Sequence, residues 1–215
     1  KRFPNPAALA DAPLQDVLKL WEGLGYYTRA RQIHKMAERL VREHGGQLPA
    51  DPDALAALPG LGPYTTAAIA SFAFGKPLAV LDGNVIRVLS RLRALTDDIT
   101  LPATRRKLQK LADALLPADQ AAAANEAWME LGALVCTPRN PACPACPLRT
   151  VCRARSTGAP AAFPKRKKKM KVPHKIVGAA VILNPKNQIL IAQRHADKGM
   201  LAGLWEFPGG KRADG

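Results

Sequence analysis

The 215-residue chain carries 32 lysines and arginines against 17 acidic residues, which gives a net charge of +15, and 47% of its residues are hydrophobic. This apolar content excludes a disordered protein, and the charge favours a polyanionic partner such as nucleic acid. No run approaches twenty apolar residues and no signal peptide is visible, so we expect a soluble cytoplasmic protein without a membrane partner.

Residues 1–154 are predicted to be mainly helical. Leu14, Val17, Leu18 and Trp21 recur at helical spacing, which predicts an amphipathic helix near the start of the chain. Further helices are predicted at residues 28–44, 65–74, 84–95, 103–116 and 125–134, with a short helix opening at residues 51–53.

The composition changes after the helical part. Residues 155–174 contain prolines, a glycine and a lysine run, which is typical of a linker. Nine basic residues and no acidic residue lie between Arg153 and Lys175, so this segment is either a solvated linker or a contact to a DNA backbone. Residues 175–183 and 188–194 are predicted to be two strands of a hairpin that opens a β-rich domain.

A glycine-containing turn at residues 58–62 precedes one of the predicted helices. Gly60 and Gly62 allow the backbone to approach a ligand and to direct N–H groups toward an anion, as phosphate-binding turns do. Further along, Asp82 follows an apolar run and precedes the next helix, where it is either a partly buried reactive acid or a helix N-cap. The turn and the acid together indicate chemistry on nucleic acid.

The only four cysteines of the chain fall within seventeen residues, in the pattern C-x6-C-x2-C-x5-C. They are Cys136, Cys143, Cys146 and Cys152. Three interpretations compete: a [4Fe–4S] cluster, a structural zinc ion, or two disulfides. Zinc sites usually pair two C-x2-C units and disulfides belong to secreted chains, so the spacing favours the iron–sulfur cluster.

These motifs together resemble the helix-hairpin-helix DNA glycosylases. The glycine turn followed by Asp82 is similar to that superfamily, and the cysteine spacing is similar to its iron–sulfur branch. Three segments resemble the adenine DNA glycosylases of the MutY type within that branch, namely residues 23–27 (GLGYY), 81–85 (LDGNV) and 131–133 (LGA). Residues 201–210 (LAGLWEFPGG) resemble the start of their Nudix-like C-terminal domain.

The resemblance implies a mainly α fold, a helix-hairpin-helix DNA glycosylase bundle followed by a smaller α+β part. The expected domains are a helical glycosylase domain at 1–135 with its hairpin at about 58–82, an iron–sulfur loop with a [4Fe–4S] cluster at 136–154, a basic linker at 155–174, and the start of a Nudix-like domain at 175–215. We expect a monomer. Because the first residue is Lys1 rather than methionine, we also expect the complete protein to continue beyond both ends of this sequence.

The implied function is base excision repair, in which adenine opposite 8-oxoguanine or guanine is removed from double-stranded DNA by hydrolysis of its N-glycosidic bond. The nearest alternative is an endonuclease III-like enzyme. Those enzymes place a lysine directly before the threonine of the post-hairpin helix, where it forms a Schiff base, whereas this chain has Tyr64. The resemblance therefore implies a monofunctional glycosylase. A third possibility is a non-catalytic DNA-binding module.

The resemblance also assigns catalytic roles. Asp82 would stabilise or trap the cationic sugar, Tyr64 would line the pocket near that sugar, and Asn84 would either hold the Asp82 carboxylate or cap its helix. The glutamate that protonates the departing base in these relatives would lie upstream of Lys1. We therefore expect the isolated chain not to excise adenine.

The DNA-binding residues are assigned in the same way. Tyr26 matches the tyrosine that wedges into the duplex, and Gly60, Leu61 and Gly62 would present backbone N–H groups to a phosphate. His34 is expected on a helix surface rather than as a ligand.

Overall fold

The computed structural model of the protein describes residues 2–167, 174–195 and 201–211. It divides into two compact units, residues 1–167 and residues 168–215. The division lies within the predicted linker, so the first part of that segment belongs to the first unit.

The first unit is helical in its described part. Its α-helices are α1 (Pro6–Ala10), α2 (Leu14–Leu20), α3 (Tyr27–His44), α4 (Pro52–Ala57), α5 (Pro63–Phe74), α6 (Gly83–Leu92), α7 (Pro102–Ala114), α8 (Ala121–Glu130) and α9 (Arg153–Ser156). A π-helical turn, Leu131–Val135, continues α8, and two short 3-10 turns cover Cys143–Ala145 and Pro160–Ala162. Across the described residues of the chain, we find no helix with the length and apolar character that crossing a membrane requires.

The helices confirm most of the sequence predictions. Helix α8 begins at Ala121, before its predicted start at residue 125, and the short helix α9 was not predicted. Helix α1 was not predicted, although Asn5 caps it by accepting a hydrogen bond from Ala8 N–H at 2.8 Å. Helix α8 ends at Glu130 because the backbone changes there to π-helical bonding. Helix α6 ends before residue 95 because Ala94 adopts a left-handed φ of 50° and Leu95 N–H donates to the Ser90 carbonyl, as in a Schellman motif.

Two apolar clusters support the first unit. One lies between α6, α7 and α8 and contains Val85, Leu89, Ile99 and Leu108. The other lies between α3, α4 and α5 and contains Leu40, Leu55, Leu58 and Ala70. The first cluster fixes the helix that follows Asp82, and the second fixes the hairpin formed by α4 and α5.

The predicted surface position of His34 was wrong. Its side chain is buried, with 7% of the residue exposed, because the ring nitrogen Nε2 lies 2.8 Å from the Ala12 carbonyl oxygen. The other ring nitrogen lies 3.6 Å from the carboxylate of Glu38, one helical turn further along α3. His34 therefore attaches the segment that follows α1 to α3.

The described part of the second unit contains four short strands. Strand β1 (Val177–Ala179) pairs antiparallel with β4 (Gly209–Lys211), and β2 (Ala192–Gln193) pairs antiparallel with β3 (Trp205–Glu206). The predicted hairpin between 175–183 and 188–194 forms only beside its turn, where Leu183 bridges Ile189 and Leu190 N–H donates to the Ile182 carbonyl at 2.9 Å, while β1 and β2 pair with β4 and β3 instead. The predicted turn is confirmed, because the Asn184 side chain accepts hydrogen bonds from the N–H groups of Lys186 and Gln188.

Asn125 on α8 fixes the extended segment that leads to Asp82. Its side-chain oxygen accepts a hydrogen bond from Val80 N–H at 2.9 Å, and its amide donates to the Leu78 carbonyl at 2.8 Å and the Ser71 hydroxyl at 2.9 Å. The residue is 2% exposed. Because these polar groups are remote from water, each depends on Asn125 for its hydrogen bond.

We predict that Asn125→Ala lowers the free energy of unfolding by roughly 2–4 kcal/mol, since it leaves several buried polar groups without partners. Urea denaturation followed by circular dichroism measures this change. Gln120→Ala is the matched control, because the exposed Gln120 side chain makes no cap hydrogen bond at the start of the same helix. Equal stability of the two variants would contradict the assignment.

Candidate active site and nucleic-acid interface

The glycine turn joins α4 to α5. Gly60 has a left-handed φ of 81°, and a Cβ atom there would lie 2.8 Å from Cβ of Gln32 on α3, so both the conformation and the close approach require glycine. Gly62 is the N-cap of α5 and has open space around it. The Leu61 side chain packs into the core, and its N–H donates to the Leu58 carbonyl at 3.3 Å. The turn can therefore offer an anion the backbone of the two glycines and the N-terminus of α5.

Asp82 is held at the start of α6 by two hydrogen bonds. One carboxylate oxygen accepts from Val85 N–H at 2.7 Å, which is the N-cap bond, and the other accepts from the Asn84 amide at 2.9 Å. Both interpretations of Asp82 are thus compatible, because the residue caps its helix and still presents a partly buried, oriented carboxylate. The structure also resolves the choice left open for Asn84, which holds the carboxylate.

Arg87 connects this carboxylate to the loop that carries the cysteines. Its guanidinium donates to the Asn84 side-chain oxygen at 2.8 Å, to the Cys136 carbonyl at 2.7 Å and to the Gly132 carbonyl. Burial lowers the pKa of Arg87, which shows that the group gives up hydration and relies on these acceptors. A continuous chain of hydrogen bonds therefore runs from Cys136 through Arg87 and Asn84 to Asp82.

The π-helical turn after α8 packs directly on Asn84. A Cβ atom at Gly132 would lie 2.6 Å from Cβ of Asn84 and 3.0 Å from its backbone. Only glycine permits this approach, since real Cβ atoms do not come so close to a backbone. The approach also brings the Gly132 carbonyl within reach of Arg87.

The four cysteines line one cavity beneath α6. Cys136 follows the π-helical turn, Cys143 and Cys146 lie on and after a short 3-10 turn, and Cys152 precedes α9. Burial, reinforced by the charges of the other three cysteines, raises the pKa of the Cys146 thiol.

Arg91 closes the inner side of this cavity. It is 2% exposed, and its guanidinium donates to the carbonyls of Cys136, Thr137, Pro138 and Phe163 at 2.7–3.2 Å. It also lies 3.3 Å from the Cys136 sulfur. One side chain therefore shapes the backbone around the first cysteine.

Four thiols around a common cavity are the donor set that a [4Fe–4S] cluster uses, so the residues present fit that group. In residues 2–167, 174–195 and 201–211, no three histidine, cysteine or acidic side chains converge on a position that could hold a single metal ion. A [4Fe–4S] cluster does not require this, because each of its four cysteines binds a different iron atom.

Both predicted aromatic site residues are accessible. Tyr64, the second residue of α5, is 45% exposed beside the glycine turn. Tyr26 is 80% exposed at the N-cap of α3, where its backbone has a left-handed φ of 49°. The structure thus places the two rings at the starts of two different helices, where a ligand can reach them.

Residues 1–114 match the profile of the family described as HhH-GPD superfamily base excision DNA repair proteins. The chain belongs to the HhH-GPD superfamily. The matched residues contain the helical hairpin, Asp82 and Arg87, whereas Gly132 and the cysteine loop lie beyond them.

This HhH-GPD protein is similar to adenine DNA glycosylases from distant organisms, which confirms the resemblance seen in the sequence. The human enzyme is 37% identical over 97% of this chain and 46% of its own length. The enzyme from Mycolicibacterium smegmatis is 44% identical over 75% of this chain and 54% of its own length. The chain spans about half the length of the curated relatives it matches.

Solved structures support the fold of this HhH-GPD protein. A thermostable thymine-DNA glycosylase superposes with a TM-score of 0.64 at 28% identity, over 73% of this chain and 72% of that protein. Endonuclease III in a non-covalent complex with DNA superposes with a TM-score of 0.63 at 28% identity, over the same shares.

Arg87, Arg91 and Asn125 are functional or supporting residues that sequence reasoning missed. A signal was present for the arginines: they lie four residues apart on a helix that is otherwise strongly apolar, three and seven residues after Asn84. Charged residues at that spacing share one helix face with Asn84. For Asn125, no comparable sequence signal exists, because its partners are 45 to 54 residues away.

We predict that Gly132→Ala lowers the free energy of unfolding by about 1–3 kcal/mol, because the new methyl group must displace Asn84 and the start of α6. Thermal or urea unfolding measures the change. Gly83→Ala is the control: it adds the same methyl group to α6, where nothing lies within 4 Å. A Gly132→Ala protein as stable as the control would show that the close approach is not required.

Proposed function

We propose that this protein is a monofunctional DNA glycosylase that removes adenine paired with 8-oxoguanine or guanine. The observation that carries the proposal is the Asp82 carboxylate, oriented by Val85 N–H and Asn84 on a superfamily scaffold with a phosphate-binding hairpin. The similarity of the chain to the adenine DNA glycosylases supports adenine as the base that is removed. Double-stranded DNA is the partner that the positive charge and the related DNA complexes favour.

The reaction needs a flipped-out nucleotide, a stabilised sugar cation and a protonated leaving base. Asp82 supplies the negative charge that faces the oxocarbenium-like sugar, or bonds to it, as carboxylates do in glycoside hydrolysis. Its two hydrogen bonds keep it oriented before the substrate arrives. We assign base protonation to none of the chain's own glutamates. Tyr64 lines the sugar side of the pocket, and its phenol cannot form the Schiff base of a lyase.

Gly60, Gly62 and the start of α5 bind a DNA phosphate in this proposal, and Tyr26 enters the duplex beside the mismatch. Leu61 contributes through its packed side chain, which fixes the turn, because its N–H is bonded to Leu58. These contacts hold the DNA without reading its sequence.

Cys136, Cys143, Cys146 and Cys152 hold a [4Fe–4S] cluster in this proposal, supported by their shared cavity and their spacing. When bound, such a cluster supplies a rigid crosslink within a loop that has little apolar packing of its own. Arg91 and Arg87 bind the backbone beside the first ligand, and Arg87 also bonds Asn84, so it connects the loop to that residue.

For the second unit, we propose the beginning of a Nudix-like domain that recognises the base opposite the adenine. Support comes from residues 201–210 and from the two antiparallel strand pairs. Strands β3 and β4 lie within or directly after that motif.

We predict that Asp82→Asn reduces the rate of adenine excision by about two to three orders of magnitude, because the charge opposite the sugar cation is lost. Stability should change by less than about 0.5 kcal/mol, since asparagine is an equally good N-cap. Single-turnover cleavage of a duplex with adenine opposite 8-oxoguanine measures the rate for the complete gene product, since we expect no excision by the 215-residue chain alone.

Asp53→Asn provides the control, since Asp53 is an exposed acid in the first turn of α4. Normal excision by Asp82→Asn would refute the assignment of Asp82. Excision by the 215-residue chain alone would show that one of its own glutamates protonates the base.

We predict that the purified protein contains about four iron and four sulfide ions per chain, and that Cys143→Ser lowers both contents and the stability of the loop. Metal and acid-labile sulfide analysis, with visible absorbance, tests this. Thr150→Ala is the control, because Thr150 is an exposed residue of the same loop that does not line the cavity. One zinc ion per chain and no sulfide would overturn the cluster assignment.

A further inference from the structure

The loop before α3 holds Tyr26 outward on a fixed backbone. The Trp21 indole N–H donates to the Gly25 carbonyl at 2.8 Å, and Gly23 N–H donates to the Tyr27 hydroxyl at 3.4 Å. Tyr26 itself has a left-handed backbone, which is uncommon for a non-glycine residue and is found at functional positions. With 80% of Tyr26 exposed, the packing of the core does not fix the direction of its ring.

Arg29 makes the contact that does fix this ring. Its guanidinium carbon lies 5.4 Å from the centroid of the Tyr26 ring, within the range of a cation–π interaction. The first turn of α3 sets the spacing, because Arg29 N–H donates to the Tyr26 carbonyl at 2.8 Å. A planar guanidinium can stack on an aromatic face in a way that a lysine ammonium cannot.

Arg29 also borders the glycine turn. It lines a groove of about 320 Å³ together with Gln32 on α3 and with Gly60 and Leu61 of the turn. One side chain therefore contacts the exposed ring and faces the surface proposed to bind a phosphate.

We propose that Arg29 is a positioning residue that holds the Tyr26 ring ready to enter the duplex. The inference rests on the proposed DNA-binding role of Tyr26. An exposed ring that rotates freely loses conformational entropy when it enters the duplex, and this loss weakens binding. A guanidinium that already restricts the ring in the free protein makes the loss on binding smaller. A cation–π contact at an exposed site increases the population of the bound ring orientation, relative to the others, roughly two- to fivefold.

The competing role for Arg29 is that of a simple cation for the DNA backbone. In that role any positive charge at this position would serve. Every variant that removes the charge would then bind the duplex more weakly and show a smaller salt dependence of binding. A positioning role depends instead on the planar group. Arg29→Lys therefore separates the two roles, because it keeps the charge and removes the stacking.

The first measurement uses the protein without DNA. We expect the NMR signal of the Arg29 Nε–H group to carry a ring-current shift that disappears in Tyr26→Leu. An unchanged signal in that variant would overturn the proposal, whatever the enzyme's activity. This arm does not depend on adenine excision or on DNA binding.

The second measurement uses a duplex with 2-aminopurine next to the mismatch, whose fluorescence rises when a side chain unstacks the base. At saturating protein, we expect Arg29→Lys and Arg29→Met each to reduce the rise about two- to fivefold, as a weakened stack predicts. Lys35→Met is the matched control, because it removes one exposed charge from the same helix. We expect it to retain the full rise.

A normal rise with Arg29→Lys would overturn the proposal in favour of the simple cation, as would equal effects of Arg29→Met and Lys35→Met. Binding is measured separately by fluorescence anisotropy. If the unmodified protein binds the duplex, the fluorescence comparison decides the role of Arg29 whether or not adenine is excised. If it does not bind DNA, the proposed function fails and the NMR result alone decides whether Arg29 orients the ring.

Discussion

The candidate active site depends on two arginines that lie one turn apart on α6 and donate hydrogen bonds to the loop around the first cysteine. Arg87 and Arg91 both bind the Cys136 carbonyl, and Arg91 additionally binds three other backbone carbonyls. A buried guanidinium is unfavourable unless its donors are satisfied. The loop backbone satisfies them, so helix and loop stabilise each other and neither arrangement persists without the other.

A short series of hydrogen bonds connects these contacts to the Asp82 carboxylate. Arg87 binds Asn84, and Asn84 binds Asp82. On the opposite side, Gly132 holds Asn84 in place by direct contact. The reactive group is therefore positioned by the same contacts that hold the cysteine loop against the bundle. Changes at the loop should reach the site as altered orientation of Asp82 rather than as altered charge.

Local rules predicted much of the fold. Helical periodicity at Leu14, Val17 and Leu18 placed α2, and glycine after His44 and Phe74 placed the ends of α3 and α5. The hairpin, Asp82 and the cysteines carried recognisable local motifs.

The failures in strand pairing, in the burial of His34 and in the roles of the α6 arginines involve partners distant in sequence. Strand β1 was predicted to pair with its neighbour, yet it pairs with residues 209–211, because strand register is decided by tertiary contacts. His34 was predicted to be exposed, and this prediction failed because its hydrogen-bond partner, the Ala12 carbonyl, belongs to a distant segment. The arginines of α6 find acceptors 45 to 72 residues away, at distances that no periodicity encodes.

The bond between Arg91 and the Phe163 carbonyl has a consequence for biogenesis. It spans 72 residues and lies beyond the last cysteine, inside a segment whose composition resembles a linker. Further bonds from Ile99 N–H to the Lys165 carbonyl, and from Lys167 N–H to Asp98, continue the attachment. During synthesis the helical unit therefore cannot complete its hydrogen bonds when Cys152 leaves the ribosome. The unit is complete only after the following residues have been synthesised. A protein shortened directly after Cys152 would keep all four thiols, but the buried Arg91 guanidinium would lack the Phe163 carbonyl as an acceptor.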